Sequence, residues 1–240
     1  MSRPSNQEIE MYYFEQFTED FPLPNGELEY RDKPDVIIRG TKDIGIEIAS
    51  LYLVDGAFEA SEQVQRNRRE SVIKLAEANY KLKSNLNYEF HISFNSKIPI
   101  NDLKSTATKL VNFIISKEKT LGNFFTSNAF NISPEIYSIF RSLKQYPDAK
   151  WQTSQVFDGK NLQVARVREI VRQKNEKISG YIHCDNYWLL LIVDFMDSAQ
   201  DQEIEWPTDE APIESKFEKV IIYKPQFNSY SDIPVNRIYC

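Results

Sequence analysis

Apolar and polar positions recur along this chain with two different periods. Over residues 7–20, Ile9, Tyr13, Phe14 and Phe17 fall on one face at helical spacing, which predicts an amphipathic helix. Pro22 and Pro24 end it, and Asn25-Gly26 marks a turn. Two β-branched runs follow, Val36-Ile37-Ile38 and Ile44 to Ile48, with Gly40-Thr41-Lys42-Asp43 between them; this reads as a β-hairpin. Ile44, Ile46 and Ile48 share one strand face and Glu47 takes the other. Residues 61–83 predict a long helix capped by Ser61, with Val64, Val72, Leu75 and Leu82 as its apolar arc. Residues 88–94 predict a strand, and Asn101 or Asp102 caps a helix running to about Lys117. A short helix is expected around Ile136–Leu143, and Trp151–Phe157 pairs with Leu162–Val164 across Asp158-Gly159. Val167, Val171, Ile178 and Tyr181 define a helix over 167–181. The run from Trp188 up to Asp194 is continuously apolar, as in a central buried strand, and Phe217–Tyr223 reads as the last strand.

Helices and strands alternate, which places the chain in the α/β or α+β class. The 240 residues suffice for one large core, and 41% hydrophobic with 27% charged residues excludes a disordered chain. No apolar run is long enough to span a bilayer, and residues 1–20 lack a signal-peptide core, so no membrane partner is expected. Two cysteines give no disulfide framework, and a cytoplasmic location is the expectation. The net charge of −6 argues against a general nucleic-acid binder. Its distribution softens that argument. Asp194 to Glu218 carries nine acidic residues against Lys216, so the rest of the chain sums to +2. Basic residues gather at Arg66, Arg68 and Arg69 and again from Arg166 to Lys177. No P-loop, dinucleotide fingerprint or zinc-helix motif is present.

The hairpin carries the candidate chemistry. Asp35 opens its first strand and Glu47 lies in its second, so the turn brings two carboxylates toward one sheet end. Two carboxylates that close raise each other's proton affinity unless a cation sits between them. Mg²⁺ is a fitting occupant, being held by one or two carboxylates plus water and phosphate. The plain alternative is a structural hairpin with both acids in solvent.

Pro34-Asp35, an intervening stretch and then Glu47-Ile48-Ala49 resemble the PD-(D/E)XK motif of the restriction-endonuclease-like nuclease superfamily. The likeness extends to bacterial members with a lysine-less Glu-x-Ala motif, through Lys174-Asn175-Glu176-Lys177 ahead of Trp188-Leu189-Leu190. It implies a single domain with a restriction-endonuclease-like core over 7–118 and a mixed sheet flanked by helices. Residues 119–240 would complete that sheet. It also implies an acid pair, Asp35 and Glu47, holding Mg²⁺ (or Mn²⁺) with the Ile48 carbonyl.

One departure is Ala49, which stands where the family places a lysine. Helical spacing offers charged residues inside apolar arcs as replacements. Glu10 lies within the arc of helix 7–20 and resembles the family's first-helix acid; Lys174 lies in the arc of 167–181, and Arg68 in that of 61–83. The expectation is therefore Mg²⁺-dependent hydrolysis of a DNA phosphodiester, in a defence-type endonuclease. Asp35, Glu47, Glu10, Lys174 and Arg68 would be catalytic, while Gln65, Arg69, Arg172 and Lys177 would face the nucleic acid. The alternative is a catalytically inactive relative that binds nucleic acid or a protein partner. A homodimer is left open.

Overall fold

A computed structural model describes residues 5–54, 56, 59, 61–118, 124–125, 133–154 and 159–238. The protein is mixed α/β, with four α-helices and twelve strands among these residues. It divides into two compact units, Met1–Leu53 with Asp158–Cys240, and Val54–Phe157. Residues 7–118, expected to hold one core, are thus shared between two units.

The chain begins with α1 (Asn6–Asp20), β1 (Glu27–Tyr30), β2 (Val36–Arg39) and β3 (Ile44–Ser50). The second unit contributes α2 (Glu62–Lys81), β4 (Tyr88–Phe94), α3 (Leu103–Lys117), β5 (Phe124–Phe125), β6 (Ile136–Gln145) and β7 (Trp151–Ser154). The first unit resumes with α4 (Val164–Lys177), β8 (Asn186–Ile192), β9 (Ile213–Ser215), β10 (Lys219–Lys224), β11 (Ser229–Ile233) and β12 (Val235–Arg237).

In the first unit a six-stranded mixed sheet runs in the order β1-β2-β3-β8-β10-β11. Its centre is parallel, β3 with β8 and β8 with β10, and its flanks are antiparallel. Parallel strands are normally covered on both faces, and these are. Under α1, Phe14 and Phe17 pack with Ile46, Ile48, Leu190 and Ile221. On the other face Val167 and Val171 of α4 pack with Leu189, Leu191, Val220 and Ile222. A Ser5–Glu8 capping box starts α1. Strands β9 and β12 form a separate parallel pair.

In the second unit a four-stranded sheet, β5-β6-β4-β7, shares a core with α2 and α3. Val72, Ala76 and Tyr80 pack there with Phe90, Ile92, Leu110 and Trp151. Ser61 caps α2 as expected, and Asp102 is the residue that caps α3.

Several expectations are corrected. Ile136–Leu143 is not a helix but lies in β6, antiparallel to β4, where Ile136 and Ile139 are buried; the ladder decides over the local pattern. Val164 opens α4 instead of ending a hairpin strand; Phe157 and Asp158 of that hairpin lie outside the described residues. Two strands follow β10, so Phe217–Tyr223 is not the last. The arc of α2 runs one residue off the expected one, through Gln65, Val72, Ile73, Ala76 and Tyr80, while Leu82 is 85% exposed. No helix among the described residues is long and apolar enough to cross a membrane.

Candidate active site

The charged groups gather around β3 in the first unit. Because both sheet faces are covered, the residue between Ile46 and Ile48 is buried as well: Glu47, opposite Leu189, is only 7% exposed. A carboxylate at that depth needs a counter-charge. Lys174, in the last turn of α4, supplies it, and its Nζ donates to Glu47 Oε1 at 2.5 Å. The cation beside Glu47 thus comes from a helix far along the chain.

Asp35 stands one residue ahead of β2. The β2–β3 ladder reaches Val36 opposite Ile46, so no β2 residue faces Ile48. The Ile48 N–H donates instead to Asp35 Oδ2 at 2.7 Å. In a strand both main-chain groups of a residue face the same neighbour, so the Ile48 carbonyl opens to the Asp35 side too. Burial first, and then the Glu47 charge, push the Asp35 carboxyl up to about 7; Glu10 adds to the push, while the Ile48 N–H and Lys174 oppose it.

Glu10, partly buried on α1, has its carboxyl raised by burial, with Glu47 and Asp32 adding and Lys174 countering. It belongs to the group by charge; the ion pair of Lys174 is with Glu47. The first unit therefore brings together Glu10, Asp35, Glu47, Ile48 and Lys174.

One member was not singled out from the sequence. Tyr181 follows the single 3-10 turn Ile178–Gly180 that closes α4. Burial, then the charge of Glu47, push its phenol far up. Glu47 is its hydrogen-bonding neighbour. Tyr181 Oη and Glu47 Oε2 are both buried. Its spacing of seven residues from Lys174 was the available signal, read as core packing alone.

Other expected residues are used differently. Gln65, Arg68 and Arg69 belong to α2 in the second unit. Gln65 is 1% exposed; its Oε1 accepts from the Ile100 N–H and its Nε2 donates to the Glu59 carbonyl. It is a core strut and does not face a phosphate. Arg68 donates to the Ile100 carbonyl and to Glu59, and Arg69 makes a two-pronged pair with Glu62. These donors are held by partners within the second unit. Arg172 is exposed and paired with Glu176, Arg166 with Glu169 and Arg168 with Glu210; Lys177 is exposed.

A hard divalent cation here would take its donors from Asp35, Glu47 and the Ile48 carbonyl; Asp35 accepts from the Ile48 N–H, and Glu47 Oε2 is buried. No group of three or more His, Cys, Asp or Glu residues placed to hold a metal occurs among the described residues. Mg²⁺ does not require one, since it keeps most of its waters.

Compared with known protein families, with curated proteins and with solved structures, the chain has no match in any of the three.

Proposed function

We propose that the first unit is a Mg²⁺-dependent phosphodiesterase of restriction-endonuclease-like architecture, acting on DNA. The observation that carries this reading is the Lys174–Glu47 pair beside Asp35. It gives the Pro34-Asp35 and Glu47-Ile48-Ala49 motif a lysine that Ala49 does not provide.

Asp35, Glu47 and the Ile48 carbonyl would hold the ion. Bound there, Mg²⁺ supplies charge stabilisation at a phosphodiester and makes a water more acidic. The protein's own groups do the rest. Lys174 offsets the acid pair and fixes the Glu47 rotamer, leaving Oε2 turned away from the ammonium. The Ile48 N–H fixes one oxygen of Asp35 and leaves the other available. Glu10 adds negative charge that favours a divalent over a monovalent cation. A groove of about 510 Å³ lies beside the helix that carries Lys174; Arg168, Arg172 and Lys216 line it together with Glu176 and Glu214, and none of the site residues does.

The pairing of Arg166, Arg168 and Arg172 with acidic neighbours favours a second reading, an inactive relative that binds a protein or nucleic acid. Plasmid DNA incubated with purified protein and Mg²⁺ separates the two. Nicking or linearisation by the parent, lost in the Asp35→Ala, Glu47→Ala double variant, is expected. No cleavage by the parent, or equal cleavage by both, removes the enzyme reading.

A further inference from the structure

The helices of this protein do not carry charge alike. On α2, Arg66 pairs with Glu70 and Lys81 with Glu77; on α4, Arg166 pairs with Glu169 and Arg172 with Glu176. Interleaved charges of this kind are what a solvated helix face usually shows. Helix α3 departs from that pattern, since it alone of the four α-helices contains no Asp or Glu. Its Ala107, Leu110, Val111 and Ile114 pack into the core of the second unit. On the opposite side Lys104, Thr108, Asn112, Ser116 and Lys109 are exposed, within an arc of about 140° at 3.6 residues per turn. Lys83, exposed in the turn after α2, reaches the same arc and donates to Asn112 Oδ1 at 3.4 Å. Among the described residues, Lys83, Lys104 and Lys109 have no acidic partner. The acids at the two ends of the helix are committed to the fold: Asp102 accepts from the Ser105 N–H, and Glu118 accepts from Tyr80 and Ser84. The wider field has the same sign. Residues 54–157 carry fourteen Lys and Arg against ten Asp and Glu, a net +4, which leaves −10 for the rest of the chain.

We propose that the exposed face of α3, together with Lys83, is a docking surface for the phosphate backbone of double-stranded DNA, bound without regard to sequence. Ammonium groups, hydroxyls and amides are the donors that proteins present to phosphate oxygens. No arginine stands in the arc to read guanine through a two-pronged contact. No aromatic side chain stands there either, which leaves unpaired bases nothing to stack on, and no apolar one, which a membrane surface would require. Arg166, Arg168 and Arg172 of the first unit are each tied to an acid, whereas these lysines are available to displace the counterions of a polyanion. The choice of DNA as that polyanion rests on the substrate proposed above.

Salt dependence reads such a surface directly. The full-length protein is titrated into a short labelled duplex of mixed sequence and followed by fluorescence anisotropy at several NaCl concentrations. EDTA is present throughout, so binding is read apart from cleavage. Each phosphate contact contributes about 0.9 to the slope of log affinity against log salt. The Lys104→Gln, Lys109→Gln variant is expected to lower that slope by about 1.8, so that between about 50 and 200 mM NaCl it loses roughly 12-fold less affinity than the parent. Lys104→Arg, Lys109→Arg keeps the charge and is expected to keep the parental slope. Arg66→Gln, Lys81→Gln removes as much charge from the paired residues of α2 and is expected to leave the slope unchanged. Circular dichroism melts of parent and variants are expected to coincide, because every substituted side chain is exposed. An unchanged slope in Lys104→Gln, Lys109→Gln, or an equal fall in the α2 variant, overturns the surface. Tighter binding of a single strand or of an RNA duplex overturns the choice of occupant. Absence of duplex binding by the parent also overturns the surface, while the nuclease reading stands or falls separately by the plasmid assay with Mg²⁺.

Discussion

Asp35 sets the pH behaviour of the site. Its folded carboxyl titrates at about 7, against an ordinary 3.8, so the fold holds this proton longer than the unfolded chain does. The contribution is fully present below the ordinary value and is lost as pH rises through the folded one. Asp35→Asn keeps an oxygen for the Ile48 N–H and removes the charge. The variant is expected to match the parent near pH 4 and to exceed it in stability at about pH 8, on the order of 1.4 kcal/mol for each tenfold change in proton affinity. Urea denaturation at the two pH values checks this; a parent that is the more stable at the higher pH would contradict it. Glu10, Asp35, Glu47 and Lys174 were legible in the sequence because a charge inside an apolar arc, or a strand acid between buried isoleucines, is a visible anomaly. Tyr181 was not, because a tyrosine on an apolar arc looks the same whether its hydroxyl serves a fold or a ligand. The arc of α2 sits one residue away from the expected one and takes Gln65 into the core.

The hairpin of β2 and β3 holds Asp35 and Glu47 in register, and one small residue controls how closely it is packed. A Cβ on Gly45 would lie 2.7 Å from Pro34 Cγ and 2.9 Å from Tyr187 Cδ1. Pro34 is bonded directly to Asp35, so displacing it moves the carboxylate. Gly45→Ala is expected to cost roughly 1–3 kcal/mol and to weaken Mg²⁺ binding as well. Gly180→Ala, where a Cβ meets nothing within 4 Å, serves as the control and is expected to change neither. Urea melts and MgCl₂ titration of the two variants read the difference. Elements with strong internal period, α1, α2, α3, β4 and the hairpin, were legible within a few residues. Strands β1, β6, β9, β11 and β12 were not, because each depends on a partner strand that no local pattern announces; β1 exists as the neighbour of β2 and shows mostly exposed positions.

At the scale of the molecule, every residue of the candidate site belongs to the unit formed by the two ends of the chain, and the second unit carries a core of its own. A chain joining Leu53 to Gly159 by a flexible Gly/Ser linker is therefore expected to fold and to bind Mg²⁺ as the full chain does. Circular dichroism melts and calorimetry test this, and loss of binding in a folded product would tie the second unit to the site. Within the acidic stretch, Asp201 holds the buried Lys224, Asp194 accepts from Tyr13 and Gln226, and Glu218 accepts from the Trp188 indole. A charge count along the sequence cannot distinguish acids that face water from acids that brace a fold.

The split of the first unit also dictates an order of events at the ribosome. The acid-bearing hairpin is made early, yet its neighbour β8 and its counter-charge on α4 are translated only after all of residues 54–157. The inserted unit has the whole of its sheet and helices in hand by then and is free to mature first. Until Lys174 emerges, Glu47 has no counter-charge with which to leave water, so nascent chains carry the hairpin acids in an open, uncommitted form. Closing the site is in this sense a late step of biosynthesis, timed by the length of the insertion.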